Sequence, residues 1–171
     1  MVRQLLEGHG VVTIDADTVG HAVLQSDGPA FAEVADRWPH VVENGEINRR
    51  SLAAVVFDDP DELRSLESIT HPHIFDRIKT QVEEIDTAVV VEIPLLSHGL
   101  GDEWRRIVVD CDDELRLERA ISRGLTPKEA QARMAVQPSR GEWLAAADLV
   151  VPNRGSVDEL ESTVDQLESV L

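Results

Sequence analysis

The chain of 171 residues has one cysteine, Cys111, and only two lysines, Lys79 and Lys128. A single thiol excludes an intrachain disulfide and a cysteine-based zinc site. No apolar run approaches the roughly 20 residues of a membrane-crossing helix. The N-terminus lacks the continuous apolar stretch of a signal peptide, so a cytoplasmic location is expected. No internal repeat and no low-complexity tail occur. Positive charge is scarce as well, with 16 Lys and Arg against 33 Asp and Glu and a formal net charge of −17. That excess of acid excludes partners held by bulk electrostatics, namely nucleic acid and anionic lipid. An anionic ligand must instead meet a local group of cations. Nearly all of these are arginines, 14 of them, whose planar fork suits phosphate oxygens.

What is present has the composition of an ordinary globular domain, 42% hydrophobic and 29% charged, long enough for one sizeable core. Three apolar runs, VVTI (11–14), AVVVEI (88–93) and RIVVDC (106–111), and a shorter one, DLVV (148–151), are β-branched and do not alternate. They read as parallel strands with both faces covered by helices. Helix starts lie between them. Asp59-Pro60-Asp61-Glu62 and Thr126-Pro127-Lys128-Glu129 each supply a cap, a proline at the first helical position and a glutamate three residues after the cap. Ser139–Glu142 and Ser156–Glu159 repeat the spacing without proline. Strand–helix alternation, with a mostly helical insertion from about 25 to 85, predicts one doubly wound α/β domain across the chain.

Ligands of such folds bind outside the carboxyl ends of the strands. That places Asp15 and Asp17, Pro94-Leu95-Leu96, Asp110, and Pro152-Asn153-Arg154-Gly155 among the candidates. A carboxylate at Asp17 can deprotonate a hydroxyl or hold magnesium through water, or it can simply cap a helix beginning at Thr18. Arg116, Arg119 and Arg123 fall on one helix face, which can grip nucleotide phosphates or pair with Glu114 and Glu118. His71 and His73, two apart around Pro72, have poor spacing for a metal ion; a helix start with His71 buried or facing a substrate is expected instead. His9, His21, His40 and His98 are scattered. Gln137, Arg140 and Trp143, with Arg133, suit a mobile cover over phosphates, from about 124 to 147, or an ordinary helical hairpin. In the PNRGS turn, Asn153 can hydrogen-bond an adenine edge.

In the order VVTIDAD, NRRSLAAVVF, ITHP, EIPLL, IVVDCDDELRLER, LTPKEAQARMAVQPSR and AAADLVVPNRGS, these segments resemble dephospho-coenzyme A kinase from end to end. The resemblance implies a P-loop kinase with a helical acceptor-binding insertion and a short helical lid. It also implies transfer of the γ-phosphoryl of ATP, with Mg2+, to the ribose 3′-hydroxyl of dephospho-coenzyme A. By that resemblance Asp17 is the catalytic base and Arg119 lies near the ATP phosphates. Arg140 belongs to the lid side and Asn153 to the adenine side. Asp15, Arg49, His71, Pro72, Pro94, Leu95 and Leu96 border the acceptor. Four positions depart from the family pattern: His21 and Trp143 stand in place of arginine, Ser97-His98 in place of a segment with glutamate, and Pro152 in place of aspartate.

The family also has a strand and a loop, G-x-x-x-x-G-K-[ST], before its first helix. The loop's backbone N–H groups and lysine cradle the phosphates, and its hydroxyl ligates magnesium. No such motif occurs in these 171 residues. Without it the chain is expected to transfer no measurable phosphoryl; the alternatives are a truncated non-catalytic remnant or binding protein of the same family, and a related P-loop kinase with a different small acceptor.

Overall fold

The computed structural model describes residues 1–57, 59–96, 99–101 and 103–168. In chain order its elements are α1 (Val2–Gly8), β1 (Val12–Asp15), α2 (Ala16–Val23), α3 (Phe31–Arg37), a 3-10 turn (Pro39–Val41), β2 (Val42–Glu43) and β3 (Glu46–Ile47). There follow α4 (Arg49–Phe57), α5 (Pro60–Glu83), β4 (Val89–Glu92), β5 (Ile107–Asp110), α6 (Asp113–Ser122), α7 (Pro127–Ala135), α8 (Arg140–Ala145), β6 (Leu149–Pro152) and α9 (Val157–Glu168). All four apolar runs form strands, and they pair in parallel. β1 lies beside β4, with Val12 opposite Val89 and Asp15 opposite Glu92. β5 lies beside β6, with Ile107 opposite Leu149 and Asp110 opposite Pro152. Their expected full burial is not met: Val12, Val109 and Val150 are 39%, 44% and 40% exposed. Each pair is two strands wide among the described residues, so no strand has neighbours on both sides.

The chain forms two compact units. The first comprises Val12–Pro94 and His98–Leu100; the second comprises Met1–Val11, Leu95–Ser97 and Gly101–Leu171. In the first, α2 and α4 pack on the long helix α5. Their core is Val23, Val34, Trp38, Val41, Leu52, Val56 and Ile69, all buried. Trp38 keeps its indole N–H satisfied by donating to Glu62 Oε2 at 2.8 Å, while the Arg37 guanidinium lies over its ring and also donates to Glu62. Glu62 thus serves the core rather than a capping box; Asp59 caps α5 by accepting from the N–H of Asp61. Replacing Trp38 by phenylalanine removes that donor from Glu62, which keeps only its bonds from Arg37. A loss of about 2 kcal/mol is expected, read as a lower urea midpoint with unchanged slope.

Two local features were not anticipated. Asn44 and Gly45, at φ of 53° and 81°, make the two-residue turn between β2 and β3. An Asn-Gly pair favours this turn because both central residues need positive φ. Pro72 lies inside α5 rather than at a helix start, because Pro60 and the Asp59 cap begin that helix twelve residues earlier. A proline in mid-helix cannot donate to the carbonyl four residues back, here that of Ser68.

In the second unit α1 packs on α9 and α9 on β6, with Leu6, Val151, Leu160 and Val164 almost wholly buried. The capping boxes at Thr126–Glu129, Ser139–Glu142 and Ser156–Glu159 all form. Arg106 ties strand ends together: its N–H donates to Asp148 Oδ2 at 2.6 Å, and its guanidinium donates to the carbonyls of Ala146 and Leu96. No helix among the described residues is long and apolar enough to cross a membrane.

Candidate active site

The predicted residues fall into two clusters, one in each unit. In the first unit the chain leaves β1 at Asp15, whose Oδ1 accepts from the N–H groups of Asp17 at 2.9 Å and Thr18 at 3.3 Å. Asp15 is therefore the cap, and α2 begins at Ala16, not at Thr18. An extended residue followed directly by the helix satisfies two orphan N–H groups with one carboxylate. Asp17 is left in the first helical turn, exposed, with no hydrogen bond or ion pair to its carboxylate among the described residues. One helical turn on, the exposed His21 presents Nε2 to Nη2 of Arg49, the first residue of α4.

Along α5 lies a cleft of about 510 Å3 lined by Glu67, Ser68, His71, Pro72, Phe75 and Lys79, with Asp76 and Gly99. His71 is half-buried and its ring meets that of Phe75, with centroids 5.5 Å apart. A Cβ on residue 99 would stand 2.9 Å from Cδ2 of Phe75, so glycine there leaves room for that ring as a wall of the cleft. Pro94 ends the first unit's main segment and is exposed, while Leu95 and Leu96 belong to the second unit, where the Leu96 carbonyl accepts from Arg106 at 2.9 Å. Ser97 and His98 lie outside the described residues.

The second cluster forms at the carboxyl ends of β5 and β6. Arg119 donates from Nη1 to the backbone carbonyl of Asn153 at 2.8 Å, bringing two predicted residues together. The Asn153 N–H donates to the Asp110 carbonyl at 2.7 Å and extends the strand ladder past Pro152. Arg140 grips the buried Asp110 carboxylate with two nitrogens, Nε to Oδ1 at 2.6 Å and Nη2 to Oδ2 at 2.7 Å, and its Nη1 lies 2.9 Å from Asp112. Arg154 adds a third bond to Asp110, from Nη2 to Oδ2 at 2.9 Å. The Arg140 bonds outweigh burial, and with Arg154 they hold the Asp110 carboxyl down from its ordinary 3.8 to about 2. Arg140 is held correspondingly firmly in its charged form, chiefly by Asp110. Arg116 and Arg123 do not join this group. Arg116 binds Asp113 and Gln137, not Glu114 or Glu118, and Arg123 stands past the last residue of α6. Trp143 is half-buried in α8.

Sequence reasoning named Asp110 by position only, and Arg154 only as part of a turn. The available signal was an aspartate closing a β-branched run, which burial then obliges to find cationic partners. For magnesium, no group of three or more His, Cys, Asp or Glu side chains among the described residues can hold an ion. Asp15 caps a helix and Asp110 is occupied by arginines, so these residues do not form a metal cage by themselves.

The family model for dephospho-CoA kinase matches residues 1–159. The chain belongs to the dephospho-CoA kinase family. It is 37% identical over 164 residues to the dephospho-CoA kinase of Idiomarina loihiensis, covering 92% of this chain and 81% of that one. With the dephospho-CoA kinase of Streptomyces avermitilis it shares 36% identity over 170 residues, covering 95% and 83%. Two solved structures share its fold. A crystal structure of a Thermus thermophilus protein superimposes with a TM-score of 0.82 at 28% identity, over 99% of this chain and 90% of that one. The dephospho-CoA kinase from Campylobacter jejuni does so with a TM-score of 0.72 at 25% identity, over 98% and 88%. The fold class is therefore the doubly wound α/β class of the P-loop kinases, and the family is one of phosphotransferases that use ATP.

Proposed function

We propose that this chain phosphorylates the ribose 3′-hydroxyl of dephospho-coenzyme A with ATP, the last step of coenzyme A synthesis, in the cytoplasm. Beyond family membership, one observation supports the reading: Asp15, not Asp17, caps α2, so the Asp17 carboxylate is available to an incoming hydroxyl. In this reading Asp17 accepts the 3′-hydroxyl proton as the oxygen attacks the γ-phosphorus in line and the bond to the β–γ bridging oxygen breaks to release ADP, with no phosphoenzyme. Arg119 and Arg140 offset the charge spread over the moving phosphoryl oxygens. Asn153 serves the adenine edge of ATP. Arg49, Asp15, His71, Pro72, Pro94, Leu95 and Leu96 serve the acceptor. The segment 25–85 is then the acceptor-binding insertion and 124–147 the lid. ATP is taken as its magnesium complex, the ion carried largely on phosphate oxygens as Mg2+ usually is.

Positioning and charge neutralisation supply nearly all catalysis of phosphoryl transfer. The 171 residues contain no G-x-x-x-x-G-K-[ST] motif, so by themselves they are expected to show no turnover of dephospho-CoA above background. The same chain carrying an N-terminal strand and loop of that form is expected to be active, as assayed by ATP-dependent formation of coenzyme A. Turnover by the 171 residues alone would overturn the dependence on the loop. Binding of dephospho-CoA without turnover, even with the loop, would instead mark a non-catalytic binder of the family.

A further inference from the structure

Arg49 is held differently from two other arginines of the first unit. Arg37 is bound by Glu62 and Arg64 by Asp61, carboxylates that fix the guanidinium and cancel its charge. Arg49 is bound by His21. A guanidinium can only donate, so His21 Nε2 is the acceptor in this contact. A neutral acceptor orients the fork without neutralising it.

The backbone on both sides of the pair is fixed. Asn48 accepts from the N–H groups of Arg50 and Ser51 at 3.0 and 3.1 Å, which sets the first turn of α4, and its own N–H donates to the Val41 carbonyl at 2.8 Å. Both α2 and α4 rest on α5. On α2, Asp17 and His21 are four residues apart, so their side chains share one face roughly 5–6 Å from one another at Cβ. The carboxylate and the guanidinium thus present opposite charges about one helical turn apart.

We propose that His21 is a positioning residue that holds the Arg49 guanidinium, still fully charged, for the 5′-diphosphate of the acceptor nucleotide, while Asp17 faces the 3′-hydroxyl of the same ribose. This rests on the reading of Asp17 and Arg49 as acceptor-side groups. It accounts for a histidine at residue 21: a carboxylate there would orient Arg49 equally well but would repel the diphosphate and cancel the cation that meets it. An apolar side chain would leave the guanidinium free to rotate.

The test is calorimetric titration of the 171-residue chain with dephospho-CoA, with the melting temperature of each variant measured alongside. Arg49→Ala is expected to weaken binding about 10- to 100-fold, the loss of a charge-assisted contact. His21→Gln keeps a neutral acceptor and is expected to bind within about threefold of the unaltered chain, His21→Leu about 10-fold more weakly, and His21→Glu more weakly still, a tenfold change being 1.4 kcal/mol. Because the pair is exposed, melting temperatures should stay together. His21→Leu binding like the unaltered chain, or His21→Glu binding as well as His21→Gln, would overturn the positioning role. If Arg49→Ala leaves binding unchanged, or the unaltered chain does not bind dephospho-CoA, the acceptor reading itself fails. Binding losses that track lower melting temperatures would show a structural role only and likewise overturn the proposal.

Discussion

Asp17→Asn, made in the protein carrying a phosphate-binding loop, is expected to lower kcat for dephospho-CoA by about 10²- to 10⁴-fold, the usual worth of a positioned general base. KM for dephospho-CoA should change by less than about threefold, since asparagine keeps the size and one acceptor oxygen while losing only the ability to take the proton. Stability should not change, because the Asp17 carboxylate makes no hydrogen bond or ion pair among the described residues. The neighbouring Asp15→Ala behaves differently. It removes a cap that serves two N–H groups and costs about 1 kcal/mol of stability, with a smaller effect on kcat. Steady-state kinetics of the two variants, beside their melting curves, separate the roles. Near-normal turnover by Asp17→Asn would refute the assignment of the base.

The second large effect concerns stability. Asp110 is 6% exposed and receives three hydrogen bonds from two guanidinium groups. Asp110→Asn leaves Arg140 and Arg154 facing an amide whose nitrogen is another donor. Breaking a buried pair from one side typically costs about 3–5 kcal/mol. Arg140 and Arg154 are 30% and 53% exposed and can recover some solvation, so a loss near the lower end, about 3 kcal/mol, is expected. The acid response carries the sign. The Asp110 carboxyl titrates lower in the folded chain than unfolded, so its contribution is complete above about pH 4 and is lost as pH falls toward 2. That contribution is about 2 kcal/mol at neutral pH. Glu129 and Glu142 shift in the same direction, each held down first by a capping hydroxyl, of Thr126 and Ser139 respectively, and then by the backbone N–H of that residue. The stability gap between Asp110→Asn and the unaltered chain should therefore narrow from pH 5 to pH 2. A gap that stays constant across that range would mean the two arginines do not bind the ionised carboxylate.

The strands were legible because β-branched runs bounded by polar residues have few other uses, and the three capping boxes because their partners lie three residues apart. Whatever depended on distant residues was less legible. Glu62 has the spacing of a capping box, but the indole N–H of Trp38, which loses water on burial, claims it. Pro72 reads as a helix start, yet α5 runs through it because Leu63, Leu66, Ile69 and Ile74 pack along the same core. The roles of Asp15 and Asp17 could not be told apart from order in the sequence, since either can cap; only the backbone leaving β1 decides. His21 had no visible role, because its partner Arg49 is 28 positions away across a turn, a hairpin and a helix. The Asn-Gly hairpin carried its signal in local chemistry alone, yet it was not anticipated from the sequence.

Pro72 also divides α5 in the language of cooperativity. A helix propagates its stability through a continuous ladder of amide hydrogen bonds, and here the ladder skips a rung at Pro72, inside a stretch whose core contacts run from Leu63 to Ile74. The later half, which holds Ile78 as its one fully buried residue among those described, can open locally at lower free energy than the earlier half. The cleft straddles that joint, with Glu67 and Ser68 on one side and Phe75 and Lys79 on the other. A ligand filling the cleft touches both sides of the missing rung at once and so ties them together as long as it stays bound.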